Sequence, residues 1–92
     1  MNRLLLDASV RSLRYLEGLP HRSVAPSADA IAGLRAFDQP LPERGHDPAD
    51  TLKLLDEAGS PATMAMAGPR FFGFVIGGSL PVTLAANWLA GA

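Results

Sequence analysis

Few residues in this chain are able to carry chemistry. It has no cysteine, which excludes disulfides, thiolate nucleophiles and thiolate metal sites. His21 and His46 are the only histidines, each beside a proline-containing connector. Neither has a second His, Asp or Glu at ligand spacing on a regular element, so both read as exposed loop residues and no metal site is expected. Lys53 is the only lysine and stands among Asp50, Asp56 and Glu57. Acidic neighbours hold a lysine charged, whereas a Schiff-base or general-base lysine must give up its proton, so Lys53 reads as a solvated surface residue. Gly77-Gly78-Ser79 ahead of a helix start could cradle a phosphate on backbone N–H groups. The segment lacks the Lys-Ser/Thr of a nucleotide loop and the spacing of a dinucleotide fingerprint. A tight turn from extended chain into helix explains the two glycines better, and it leaves room for a ligand against that backbone.

The elements that must position these residues are short. Leu6, Val10, Leu13 and Leu16 recur at helical spacing, with Arg3, Asp7, Arg11 and Arg14 on the other side, and Gly18 and Pro20 end this first helix at about residue 17. Asp7 lies four residues from both Arg3 and Arg11, which adds surface pairing of roughly 0.2–0.5 kcal/mol each. The apolar stripe needs another surface to cover it. After a Pro-bounded connector, Ser27 caps a second helix running to about Phe37, with Ile31 and Leu34 expected inward and Gly33 weakening it by about 1 kcal/mol. A Pro-rich loop follows. Asp47-Pro48-Ala49-Asp50 is a strong helix start, and that helix carries Leu52 and Leu55 on one face and stops at Gly59. Ser60-Pro61 repeats the start signal for one or two turns before Gly68-Pro69.

From Phe71 to Ala92 there is no charge. Residues 70–76 are rich in Phe and Val and read as extended; Pro81 then opens a last helix containing Trp88. The 22 uncharged positions are long enough to span a bilayer, but Gly77, Gly78, Ser79 and Pro81 fall mid-segment, where a spanning helix would break. A buried soluble segment fits better than a membrane one. The formal net charge of -1 offers no basic field to nucleic acid or an anionic membrane. Three leucines followed by Asp7 and Arg11 make too short an apolar core for a signal peptide, so a cytoplasmic location is expected. The fold class expected is mainly α, built from short helices with long Pro-rich connectors and one extended stretch near 70–76. Its two parts are an N-terminal helical arm, residues 1–68, and a segment 69–92 of extended chain, Gly-Gly turn and helix start.

In GPRFFGFVIGGSLPVTLAANWLAGA the sequence resembles the N-terminal part of the group II pyridoxal-phosphate-dependent decarboxylases, which include the aromatic-amino-acid and glutamate decarboxylases. Shared features are Pro69, the pair Phe71-Phe72, the short stretch Gly73 to Ile76, the turn Gly77-Gly78-Ser79, Pro81 and the Leu/Ala-rich run from Leu84 to Ala92. The upstream YLEGLP, the Pro-bounded connector and DTLKLLDEA match in style. The resemblance implies an N-terminal arm of a fold-type I, aspartate-aminotransferase-like α/β enzyme, a carboxy-lyase acting on an amino acid. It implies pyridoxal 5'-phosphate as cofactor, with the stacking histidine, the pyridine-pairing aspartate and the Schiff-base lysine all beyond this chain. The chain is then expected to be an inactive N-terminal fragment, partnered by its own C-terminal domain and by the second subunit of a homodimer. The resemblance places Phe72, Phe74, Val75 and Ile76 on the wall of the substrate pocket, with Gly77 and Gly78 allowing close backbone approach. Aromatic-amino-acid members carry Tyr, Phe, Pro and Thr where this chain has Phe74 to Gly77, which argues against an aromatic substrate. A stand-alone helical interaction module and a small membrane-anchored protein are the competing readings.

Overall fold

A computed structural model describes residues 2–92, and its helices start and stop largely where the caps and prolines dictate. Among the described residues there are four α-helices and no strand. Helix α1 spans Asn2–Gly18 and closes in a 3-10 turn at Leu19–His21. The apolar stripe that lacked a partner in the sequence stays largely uncovered, with Leu16 its one half-buried member. Leu4, Asp7, Ala8, Arg11, Ser12 and Tyr15 form the half-buried face, while Leu6, Val10 and Leu13 are 66, 51 and 52% exposed. Leu6 and Val10 point away from the molecule, whereas Leu13 and Leu16 border a groove shared with the last helix. Asp7 and Arg11, expected on an open surface, instead face the third helix, and Arg11 pairs with Asp7 at 3.1 Å and with Asp56 at 2.9 Å. Charge-assisted hydrogen bonds of this kind are roughly twice as strong as neutral ones, and they fasten this face of α1 to the turn that follows the third helix.

Helix α2 covers Ala28–Ala32, with the Ser27 hydroxyl accepting from the Ala30 N–H at 3.1 Å, and tightens to 3-10 geometry over Gly33–Phe37. Its extent is as expected, but Ile31 and Leu34 are not inward; they are 52 and 40% exposed. The small face of Ala30, Gly33 and Ala36 lies towards Leu54, Ala58 and Pro61 instead, across an open groove in which a Cβ on Gly33 would meet nothing. Helix α3, Pro48–Leu54, begins with the Asp47 carboxylate accepting from the Ala49 N–H at 3.0 Å. It widens into a π turn at Leu55–Gly59 and finishes as a single 3-10 turn, Ser60–Ala62, the shorter of the two expected lengths. Helix α4, Pro81–Gly91, has no polar side chain at its cap, so the Thr83 hydroxyl both accepts from the Leu80 N–H and donates to the Leu80 carbonyl.

Between these helices the connectors are held by arginine. Arg22 donates to the carbonyls of Ser60 (3.0 Å) and Thr63, with its guanidinium 5.7 Å from the centre of the Tyr15 ring. Arg70 donates to the carbonyls of Pro20 and Arg22. The Ala65 N–H reaches the Val24 carbonyl at 2.9 Å, and Gly68 fits under Leu19, where a Cβ would lie 3.2 Å from the Ala65 carbonyl oxygen.

This scaffolding encloses almost no core. Leu19 and Ala65 are the buried hydrophobic residues among those described. The accessible surface is 7473 Å² for 9.7 kDa, where a folded monomer of that mass exposes about 5,100 Å². The radius of gyration is 15.0 Å, against about 12 Å for a compact chain of this length. A conventional domain would hide the difference.

Candidate functional site

The stretch 70–76 is not extended throughout. The Ile76 N–H donates to the Gly73 carbonyl at 3.3 Å, and Phe74 and Val75 between them take φ of 57° and 56°. Two left-handed central residues in a turn closed from i to i+3 are the mark of a type I′ turn. Neither residue suits it, and a β-branched side chain at positive φ costs on the order of 1–3 kcal/mol. The Phe71 and Phe74 rings face each other at 6.1 Å with 29° between their planes, and Phe71 lies against the Gly73 α-carbon, where a Cβ would come within 3.0 Å of the ring. The tight turn expected at Gly77-Gly78 therefore falls earlier, at Gly73 to Ile76. Gly77 and Gly78 have no positive φ, and a Cβ at either would meet open space.

The residues expected to wall a substrate pocket are thus brought into one loop, but they enclose nothing. Phe72 and Phe74 are 90 and 79% exposed, Val75 is fully exposed and Ile76 is 45% exposed. Apolar side chains presented to water on one loop can close a pocket against another surface; alone they bind nothing tightly.

Several grooves lie elsewhere, among them one of about 710 Å³ between Leu5 and Ser12 of α1 and Asn87 and Trp88 of α4, and two others nearer the connectors. One, of about 440 Å³, runs between the end of α1 and the start of α4, lined by Leu13, Leu16, Leu19, Leu84 and Trp88 among others. The second, about 530 Å³, lies where Tyr15, Arg14 and Arg22 face Ser23, Ser27 and Glu57. It adjoins the Arg11–Asp56 pair. The Ser60 hydroxyl, donating at 2.8 Å, and then Arg11 hold the Asp56 carboxyl below the usual carboxylate range, while Asp56 and Asp7 push the Arg11 guanidinium further up. Sequence reasoning missed Arg22, Arg70 and Asp56 as the tethers of this region, because their partners are backbone carbonyls and a side chain 45 residues away.

Pyridoxal phosphate requires a lysine inside a pocket, with an aspartate for the ring nitrogen. Lys53 is exposed on α3 and borders none of these grooves, so the described residues do not form a site for that cofactor. Among them no cluster of His, Asp and Glu is arranged to hold a metal ion, and no helix is long and apolar enough to cross a membrane. No protein-family model, curated protein or solved structure matches this chain.

Proposed function

We propose that this chain is the N-terminal arm of a dimeric pyridoxal-phosphate-dependent amino-acid decarboxylase, supplying dimer contacts and one wall of the substrate pocket. The observation that carries the reading is the uncovered apolar surface. The excess of about 2,300 Å² over a compact monomer is what one subunit brings to a large obligate interface. Leu6, Val10 and Leu13 on α1, Phe72 to Ile76 on the loop, and Val82 and Leu89 on α4 make up much of it. The motif likeness around Phe71-Phe72 and Pro81 gives that surface its setting. The cofactor's Schiff-base lysine lies outside these residues, and the electron-sink chemistry it supplies is the cofactor's own. What this chain contributes is shape: Phe72, Phe74, Val75 and Ile76 exclude water from a substrate side chain, while Gly77 and Gly78 leave its backbone approachable.

The test is made in a complete enzyme carrying this segment. Ile76→Trp should reorder its amino-acid substrates while leaving the cofactor absorbance unchanged, because the pocket wall moves and the cofactor does not. An unchanged substrate ranking, or a complete coding sequence without a His-Lys motif, overturns the reading.

A further inference from the structure

We propose that the Arg44–Gly45 peptide bond is a site of limited proteolysis, at which an arginine-specific endoprotease of the trypsin class opens the chain between α2 and α3. Such an enzyme needs extended backbone to bind along its cleft and a cationic side chain free to enter its specificity pocket. Residues 38–47 offer the backbone. They lie between the 3-10 turn Gly33–Phe37 and the start of α3, belong to no helix, and every one of them is exposed. Among the described residues no backbone hydrogen bond reaches residues 40–46. Leu41 is 94% exposed, and a Cβ on Gly45 would meet nothing within 4 Å. The ends of the span are held, by the Phe37 ring over Gly59 and by the Asp47 cap, so its middle is the untied part of the connector.

The side-chain requirement singles out Arg44 from the eight basic residues of the chain. Arg3, Arg11 and Arg14 lie within α1, Arg35 within the 3-10 turn and Lys53 within α3, where hydrogen-bonded backbone must open before a protease can bind it. Arg22 and Arg70 stand in connectors, but both guanidiniums are engaged: Arg22 donates to the carbonyls of Ser60 and Thr63, and Arg70 to those of Pro20 and Arg22. Arg44 has no hydrogen-bond or ion-pair partner among the described residues. Gly45 after it keeps the N–H and the free backbone that a proline would remove. In the cut, water adds across the Arg44–Gly45 bond, leaving a carboxylate on Arg44 and an ammonium on Gly45. The ties Arg11–Asp56, Arg22–Ser60 and Val24–Ala65 all span that bond, so the connector opens without any of them being removed.

Brief digestion of the full chain at a low ratio of trypsin, with fragment masses followed over time, tests this without any cofactor and independently of the dimer-arm reading. The first products should be residues 1–44 and 45–92. Arg44→Gln should slow the first cut on the order of tenfold, because every other site waits for a local opening. Arg44→Lys, which still enters the specificity pocket, should keep the cut at the same bond. A glutamate-specific endoprotease supplies a second readout, since Glu17 lies in α1, Glu57 in the π turn and Glu43 in the same connector as Arg44. It should cut first after Glu43. A first tryptic cut after any other basic residue, or an Arg44→Gln chain cut as fast as wild type, overturns the proposal. So does a glutamate-specific digestion that begins at Glu17 or Glu57, because the connector is then not the span that opens first.

Discussion

Arg11 shows how single residues hold this molecule together. Its guanidinium bridges Asp7, one turn back on α1, and Asp56 on the π turn beyond α3, while Ser60 donates to the other Asp56 oxygen. Because the Asp56 carboxyl titrates below its unfolded value, its stabilising contribution is present above the usual carboxylate range. That contribution is lost as pH falls through the depressed value. Helix content followed by circular dichroism on acidification should therefore show a low-pH loss in the wild-type chain. Asp56→Asn, already lacking the charge, should start lower at neutral pH and lose the acid-dependent part. Thr63 adds a second tie: its one hydroxyl proton goes to the Ser60 carbonyl, so the Tyr15 hydroxyl 2.8 Å away is the donor. Tyr15→Phe removes that bond while keeping the ring under Arg22.

At the scale of elements, the helices survive on their ends more than on their faces. None exceeds 17 residues, α2 has five and α3 seven. Helices this short are marginal alone because nucleation is costly. Asp47→Ala should cost about 0.5–2 kcal/mol of helix stability, whereas Asp47→Asn should cost little, since asparagine keeps an acceptor for the Ala49 N–H. Backbone chemical shifts over residues 48–54 would report the difference. Thr83→Val should fray α4 from its first turn, because Leu80 offers no side-chain acceptor to replace the lost hydroxyl. Equal helix content in Asp47→Ala and the wild-type chain would show that packing on α1, and not the cap, maintains α3.

At the scale of the whole molecule, folding alone has little to drive it. The chain covers about 47% of the surface its unfolded form exposes, below the roughly 60% reached by even small independent domains. Ordering each residue costs about 1–2 kcal/mol, and Leu19 and Ala65, the buried hydrophobic residues among those described, offset very little of that. Calorimetry at concentrations too low for self-association should show a broad, weakly cooperative transition. A sharp reversible transition with the mass of a monomer would contradict this. Added pyridoxal phosphate should leave no stoichiometric borohydride-trapped adduct at Lys53, which has neither pocket nor partner to favour one.

The local physics was legible in the sequence: where helices begin at Ser27, Asp47 and Pro81, where Gly18-Leu19-Pro20 ends the first, and that the chain is mainly helical. Caps and prolines act within a few residues, so adjacent residue types are sufficient to place them. The uncovered stripe of Leu6, Val10 and Leu13 was legible too, as a stripe without a partner. Which way each helix turns was not. Periodicity marks two faces without saying which is buried, and here α2 turns Ala30, Gly33 and Ala36 towards Leu54 and Pro61 and leaves Ile31 and Leu34 exposed. Nor could spacing locate the turn at Phe74 and Val75, two residues that avoid left-handed backbone, ahead of two glycines that would accept it. Pairings across 41 to 50 residues of sequence, such as Arg22 with Thr63 and Arg70 with Pro20, exist only once the connectors are brought together. Tertiary structure alone decided them, because a guanidinium selects its carbonyls by position in space and leaves no periodic trace along the chain.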